Sequence, residues 1–335
     1  MRVATVDYHT AGEPFRIVLE GAPAIEGATV LERREVASRT ASIDAYRELL
    51  VREPRGHADM YGCFVVPPDD DGAHFGALFW HKDGYSTACG HGTIALGAWA
   101  VESGRVPSRP TGTSDVQIDV PSGRVTARVT TEDGVVTRVA FENVGAYVIG
   151  RGVTVETARG SLVVDIGYGG AIYASLPAAS VGMSVTPGHL DQLTTLGREI
   201  KWALNDTRWA AHPSDPRLSG IYGVIWYDEV GAADGGPHQR NVTVFADGEV
   251  DRSPCGSGTS ARLALLHAEG RITVGQTMIH DSIIGTRFEG RVLSIVPGDG
   301  RDLVMTEIEG EAFKMAESTF FLDARDPVGT GFLLR

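Results

Sequence analysis

The chain has 335 residues, 42% of them apolar and 22% charged, the composition of an ordinary globular protein with material for about two cores. The formal net charge is -13 and the sequence pI about 5.2, and no cluster of lysine and arginine appears, so nucleic acid is excluded as an expected partner. The N-terminus carries no apolar leader, no apolar run approaches the ~20 residues that cross a bilayer, and three cysteines are too few for a disulfide framework, so a cytoplasmic protein without a membrane partner is expected.

Along the chain, short β-rich runs alternate with Gly, Pro and Asp turns. Strands are expected at Arg16–Glu20, Val116–Val120, Arg124–Val129, Val136–Phe141 and Asn241–Phe245, and loops at 67–72, 107–115, 231–237 and 297–300. After His189, Leu190, Leu193, Leu196, Ile200 and Leu204 recur at spacings of three and four, which predicts a structural helix with one apolar face. Cys63 lies in an apolar, strand-like run and reads as core filler.

The most informative feature is an internal repeat. Cys89-Gly-His-Gly-Thr-Ile-Ala begins one copy and Cys255-Gly-Ser-Gly-Thr-Ser-Ala the other, 166 residues further on. Gly104-Arg105 and Gly270-Arg271 close the two frames in register. Two similar halves follow, expected at 1–145, with a tail of about 322–335 returning to it, and at 146–321.

Each copy passes from a glycine-rich turn into residues of good helix propensity, and a C′-type glycine ends it. Each cysteine is therefore expected at a helix N-terminus, where unpaired N–H groups carry about half a positive charge. Such a position lowers a thiol's pKa and binds an anion such as a substrate carboxylate. Gly90 and Gly256 leave room for that approach. Two such thiols on opposite sides of one α-carbon would remove a proton from one face and return one to the other. The copies differ at His91 against Ser257 and at Tyr85 against Asp251. His91 and Asp251 are candidates to hold a substrate amine or to tune a thiol proton.

At these residues the chain resembles the proline racemase family. Ser86-Thr-Ala-Cys-Gly-His-Gly92 and Asp251-Arg-Ser-Pro-Cys-Gly-Ser-Gly258 match that family's two catalytic segments. His9-Thr-Ala-Gly-Glu-Pro14, Arg55-Gly-His-Ala-Asp-Met-Tyr-Gly62, Gly169-Gly-Ala-Ile-Tyr173, Ser282-Ile-Ile-Gly-Thr286 and 326–334 match as well. The resemblance implies an α/β fold similar to diaminopimelate epimerase: two halves, each a curled sheet around a central helix, with the active site between them. It implies catalysis by Cys89 and Cys255 without cofactor or metal. The substrate would be a small amino acid held by Gly90, His91, Asp251, Gly256 and Ser257, between apolar walls at Tyr61 and Phe245. A homodimer is one assembly it allows.

The resemblance covers proline racemases, 4-hydroxyproline 2-epimerases and trans-3-hydroxyproline dehydratases, and the dehydratases typically carry threonine at the second cysteine. Cys255 thus favours inversion at C2, with 4-hydroxyproline slightly ahead of proline and trans-3-hydroxy-L-proline dehydration as the alternative. The stretch Val244-Phe-Ala-Asp-Gly-Glu-Val250 is more similar to the racemase and dehydratase branches. A zinc site from Cys89, His91, Asp251 and Cys255, a cysteine hydrolase and a non-catalytic amino-acid-binding protein are the rivals from other classes. Zinc is disfavoured by the ligand spacing, and a hydrolase by the presence of two matched thiols rather than one.

Overall fold

Largely buried runs lay down the first two strands, β1 (Arg2–Thr10) and β2 (Glu13–Glu20), around a tight turn in which Ala11 and Gly12 take positive φ. They open a computed structural model that describes residues 1–233 and 235–334. Helix α1 (Val30–Arg39) is capped by Thr29, whose hydroxyl accepts the Glu32 N–H, and α2 (Ala41–Val51) follows. The chain then enters β3 (Gly62–Val66), parallel to β2, and the wholly buried β4 (Phe75–His81). The short β5 (Gly84–Tyr85) folds back on β4 and leads into α3 (Gly90–Glu102). Next come β6 (Gly112–Val120), parallel to β4, its hairpin partner β7 (Gly123–Glu132), and β8 (Val135–Glu142).

The hairpin β9 (Tyr147–Thr157) and β10 (Gly160–Tyr168) is joined by β11 (Ile172–Pro177), and α4 (Leu190–Asn205) crosses to β12 (Ile221–Ala233), parallel to β11. Strand β13 (Gly236–Phe245) pairs antiparallel with β12, and β14 (Glu249–Asp251) folds back on β13. Helix α5 (Gly256–Ala268) then crosses to β15 (Thr277–Ser282), parallel to β13, before β16 (Arg287–Pro297) and β17 (Asp302–Gly310). The last strand, β18 (Ala312–Phe321), runs antiparallel to β1.

Two units result, Met1–Val139 together with Glu311 onward, and Ala140–Gly310. Pairing of β18 with β1 brings the chain back to the first unit at Glu311, ten or so residues earlier than the sequence suggests. The repeat is topological as well as sequential. In each unit a helical crossover joins two parallel strands (β2 to β3, β11 to β12). An antiparallel pair, a short returning strand, a cysteine-headed helix and a second parallel crossover then follow.

The two cysteine-headed helices are the centres of these units. Strands β1, β2, β6, β7 and β18 pack on α3, and β9, β10, β11, β16 and β17 on α5. Every residue from Gly90 to Val101 and from Gly256 to Leu266 is buried, including the polar Ser257, Thr259, Ser260 and Arg262 of α5. Both end as expected, at Gly104 (φ 71) and Gly270 (φ 69), a backbone region open to glycine. Helix α4 buries Leu193, Leu196, Ile200 and Leu204 against the second unit's core, as their spacing predicts. The mixed α/β class is the expected one. Two loops differ from expectation. Residues from Gly112 already belong to β6, and 231–237 is mostly a β12–β13 hairpin, with position 234 outside the described residues. In both places, main-chain pairing extends strand through turn-prone composition. Among the described residues, no helix is long and apolar enough to cross a membrane.

Candidate active site

Cys89 is the N-cap of α3 in an extended conformation (φ -155°), and its Sγ accepts the Gly92 N–H at 3.2 Å. The sulfur thus satisfies one of the helix's orphan donors, and thiolate character would strengthen that bond. The His91 ring lies against the sulfur, with Nδ1 and Nε2 at 3.6 and 3.5 Å. Tyr61 and Phe15 meet that imidazole edge-on, at ring-centroid distances of 5.0 and 5.7 Å, and the Tyr61 hydroxyl bonds to Ser86. The Thr10 hydroxyl holds the His91 carbonyl at 2.9 Å. Gly92 is obligatory here: a Cβ would stand 2.7 Å from Cys89 Sγ and 2.4 Å from the Phe15 ring.

Cys255 occupies the same place on α5 but in a left-handed conformation, φ 62° and ψ 97°. Its Sγ lies 3.8 Å from the Tyr173 hydroxyl. Tyr222 packs edge-on to Tyr173 at 5.7 Å and stacks on Phe245 at 5.6 Å, so Phe245 reaches the thiol through two further rings. Asp251 is buried and accepts the Ser253 N–H and hydroxyl at 2.8 and 2.7 Å, and Ser253 Oγ accepts the Cys255 N–H at 3.1 Å. Here too a Cβ on the third residue, Gly258, would stand 2.9 Å from the sulfur. The Ser257 hydroxyl is buried with no hydrogen-bond partner within the protein, leaving a polar group for a ligand to satisfy.

The electrostatics of this turn differ from the expectation of a lowered thiol pKa. Burial pushes the Cys255 thiol up, and the Asp251 carboxylate adds to it, while the Gly258 N–H and the Thr243 and Tyr173 hydroxyls favour the thiolate less strongly. Burial likewise raises Asp251 to about 6 against the opposing Ser253 bonds. Desolvation in a closed core outweighs the helix-end donors and favours the protonated thiol at Cys255. Cys63, also buried, in β3, has its thiol raised by burial alone, as befits core filler.

Within the first unit the structure brings together Cys89, Gly90, His91 and Tyr61, and within the second Cys255, Gly256, Ser257, Asp251 and Phe245. Sequence reasoning missed Phe15, Ser86, Tyr173, Tyr222 and Ser253. Ser86, Tyr173 and Ser253 lie inside motifs already singled out, whereas Phe15 and Tyr222 carry no local signal. The run Gly167-Tyr-Gly-Gly170 has a packing explanation: a Cβ on Gly169 would lie 2.3 Å from the Ser257 carbonyl, and one on Gly167 would lie 3.0 Å from the Ala261 carbonyl. It lets strand backbone press on α5.

A mixed α/β architecture with a buried, cysteine-headed helix at the heart of each of two topologically equivalent units defines a class of small-molecule enzymes. The family model described as proline racemase matches residues 5–333, and the chain belongs to that family. It is 41% identical over 336 residues to a trans-3-hydroxy-L-proline dehydratase of Colwellia psychrerythraea, covering 100% of this chain and 93% of that one. It is also 41% identical over 336 residues to a 3-hydroxyproline 2-epimerase of Burkholderia multivorans, covering 99% and 98%. Among solved structures, a hydroxyproline epimerase from Agrobacterium vitis with bound trans-4-hydroxy-L-proline superposes with a TM-score of 0.91 at 30% identity, covering 99% and 96%.

Proposed function

We propose that this enzyme inverts C2 of a hydroxyproline by acid/base chemistry between two thiols, Cys89 and Cys255. The observation that carries the reading is the duplicated cysteine N-cap: both copies of the repeat keep a thiol at the end of a buried helix. One thiolate removes the α-proton, and the C–H electron pair moves into the carboxylate as an enediolate. The thiol of the other cysteine then protonates C2 from the opposite face, so no cofactor is consumed and the roles exchange for the reverse reaction. The first N–H groups of α3 and α5 suit the substrate carboxylate, where charge accumulates in the transition state. Ser257 and Asp251 supply polar groups for the ring nitrogen or hydroxyl. The upward pull of burial on the Cys255 thiol supports its starting with the proton when Cys89 is the base.

The relatives named for 3-hydroxyproline substrates share more identity with the chain than the solved epimerase does, which supports placing 3-hydroxyproline ahead of 4-hydroxyproline. The dehydratase names favour a second reading, in which the 3-hydroxyl leaves after α-proton removal. That reaction needs no acid at the opposite face of C2, and family resemblance associates it with threonine at the second position; Cys255 therefore supports inversion. Proton NMR in D2O tests both readings with trans-3-hydroxy-L-proline, trans-4-hydroxy-L-proline and L-proline. Loss of the α-proton signal with growth of the C2 epimer is expected for a hydroxyproline. Loss of the hydroxyl with a ring-imine product would replace inversion by dehydration, and silence with all three would remove the proline-like substrate.

A further inference from the structure

Cys255 is held at φ 62°, a region that a residue with a side chain occupies only where its surroundings over-determine it. The surroundings here are buried and specific. The Pro254 carbonyl accepts the Asn241 side-chain amide at 2.7 Å and the Thr259 hydroxyl at 3.2 Å. The Cys255 carbonyl accepts the Thr259 N–H at 2.7 Å. Behind Thr259, its Oγ lies 2.8 Å from His280 Nδ1, and Asn241, Thr259 and His280 are all 0% exposed. In the first copy of the repeat the equivalent Thr93 hydroxyl instead bonds the Cys89 carbonyl at 2.8 Å, and Cys89 keeps an ordinary extended backbone.

We infer that Asn241, Thr259 and His280 are positioning residues that clamp the Pro254–Cys255 peptide in its left-handed turn and thereby aim the Cys255 thiol. A hydroxyl has one proton to give. Thr259 can give it to Pro254 only if His280 donates from Nδ1, so the clamp assigns His280 the Nδ1–H tautomer; the Asn241 amide nitrogen, 3.5 Å from Nδ1, gives its proton to Pro254 at 2.7 Å instead. That tautomer also leaves the partnerless Nε2 as a bare acceptor, which costs less than a buried N–H without an acceptor. Burial, Arg262 and His238 hold the imidazole neutral, down to about 3, against the opposing pull of Asp281.

The inference rests on the reading of Cys255 as an acid/base group, but its test does not need the substrate. Thr259→Val keeps the shape and removes the hydroxyl, whereas Thr259→Ser keeps the hydroxyl. Each cysteine's alkylation by iodoacetamide is followed by peptide mass spectrometry, with Cys89 as the internal reference. In Thr259→Val the released turn is expected to raise Cys255 alkylation relative to Cys89 about fivefold. Turnover is expected to fall about tenfold with little change in KM, and Thr259→Ser should restore both. A Cys255-to-Cys89 ratio in Thr259→Val equal to that of the parent overturns the clamp, whatever happens to turnover. The expected ratio in a protein that acts on no proline derivative keeps the clamp and removes the proposed function. Should Thr259→Val not fold, 15N-histidine NMR of the unmodified protein decides: a neutral Nδ1–H histidine at pH 5 is expected, and its absence overturns the assignment.

Discussion

The two cysteine turns begin from one sequence frame and end in different states. Cys89 has an extended backbone, a sulfur bonded to the Gly92 N–H and an imidazole against it. Cys255 has a left-handed backbone, a buried carboxylate four residues earlier, and a thiol whose pKa burial raises. The shared glycines, threonine and helix place a thiol at a helix end in each unit. The residues that differ, His91 against Ser257 and Tyr85 against Asp251, give each thiol different surroundings. A reaction whose two directions are chemically alike calls for two similar groups, yet at any instant one must hold a proton and the other must not. Under the proposed inversion the duplicated frame would meet the first requirement, and burial with the Asp251 carboxylate would favour the proton-bearing form at Cys255.

The largest effect that could break this comparison comes from removing either sulfur. Cys89→Ala and Cys255→Ala are each expected to lower inversion by about 10²–10⁴-fold, the usual contribution of a positioned acid or base, read as epimer formation by NMR. Full activity in either variant would leave one thiol without a role. A smaller, symmetrical effect tests whether the third glycine does the same work in both copies. Gly92→Ala and Gly258→Ala drive a methyl against the sulfur, and each should cost about 1–3 kcal/mol in thermal or denaturant unfolding. A loss confined to one copy would show that the turn of the other copy can shift to take the methyl.

The finest test sharpens the electrostatic difference. Asp251→Asn removes the charge that helps to hold Cys255 protonated, so the pH at which Cys255 becomes alkylated should move down while that of Cys89 stays. The sign follows from the charges: a neighbouring anion disfavours a thiolate, and its removal favours one. Because Asp251 itself is raised to about 6, its influence on Cys255 in the parent protein should fade as pH falls below that value. An upward shift in the variant would mean that Asp251 serves Cys255 chiefly through the Ser253 hydrogen bonds.

Much of the site was legible in the chain, because the chemistry is local. A cysteine, two glycines and a threonine followed by helix formers, closed by a C′ glycine, specify a helix and its cap within some eighteen residues, and α3 and α5 run between the expected ends. The heptad-like spacing after His189 gave α4 for the same reason. Strand extent at Gly112 and through the β12–β13 hairpin was not legible, since main-chain pairing with a distant partner overrides turn-prone composition. Tyr222 and Phe15 were invisible because ring packing on a thiol or an imidazole links residues far apart in sequence.

By itself, the sequence determined the internal duplication, the two helix-capping cysteines, the family and the identity of most side chains around each thiol. These depend on residue type and on contacts within a turn or two of the helix. Only the tertiary structure decided the burial that raises the Cys255 thiol, the left-handed turn that carries it, and the buried Asn241, Thr259 and His280 behind it. Burial and hydrogen-bond partnership are properties of packed neighbours from separate strands, and a thiol's pKa follows the solvent that packing removes, not the residue's own neighbours in the chain.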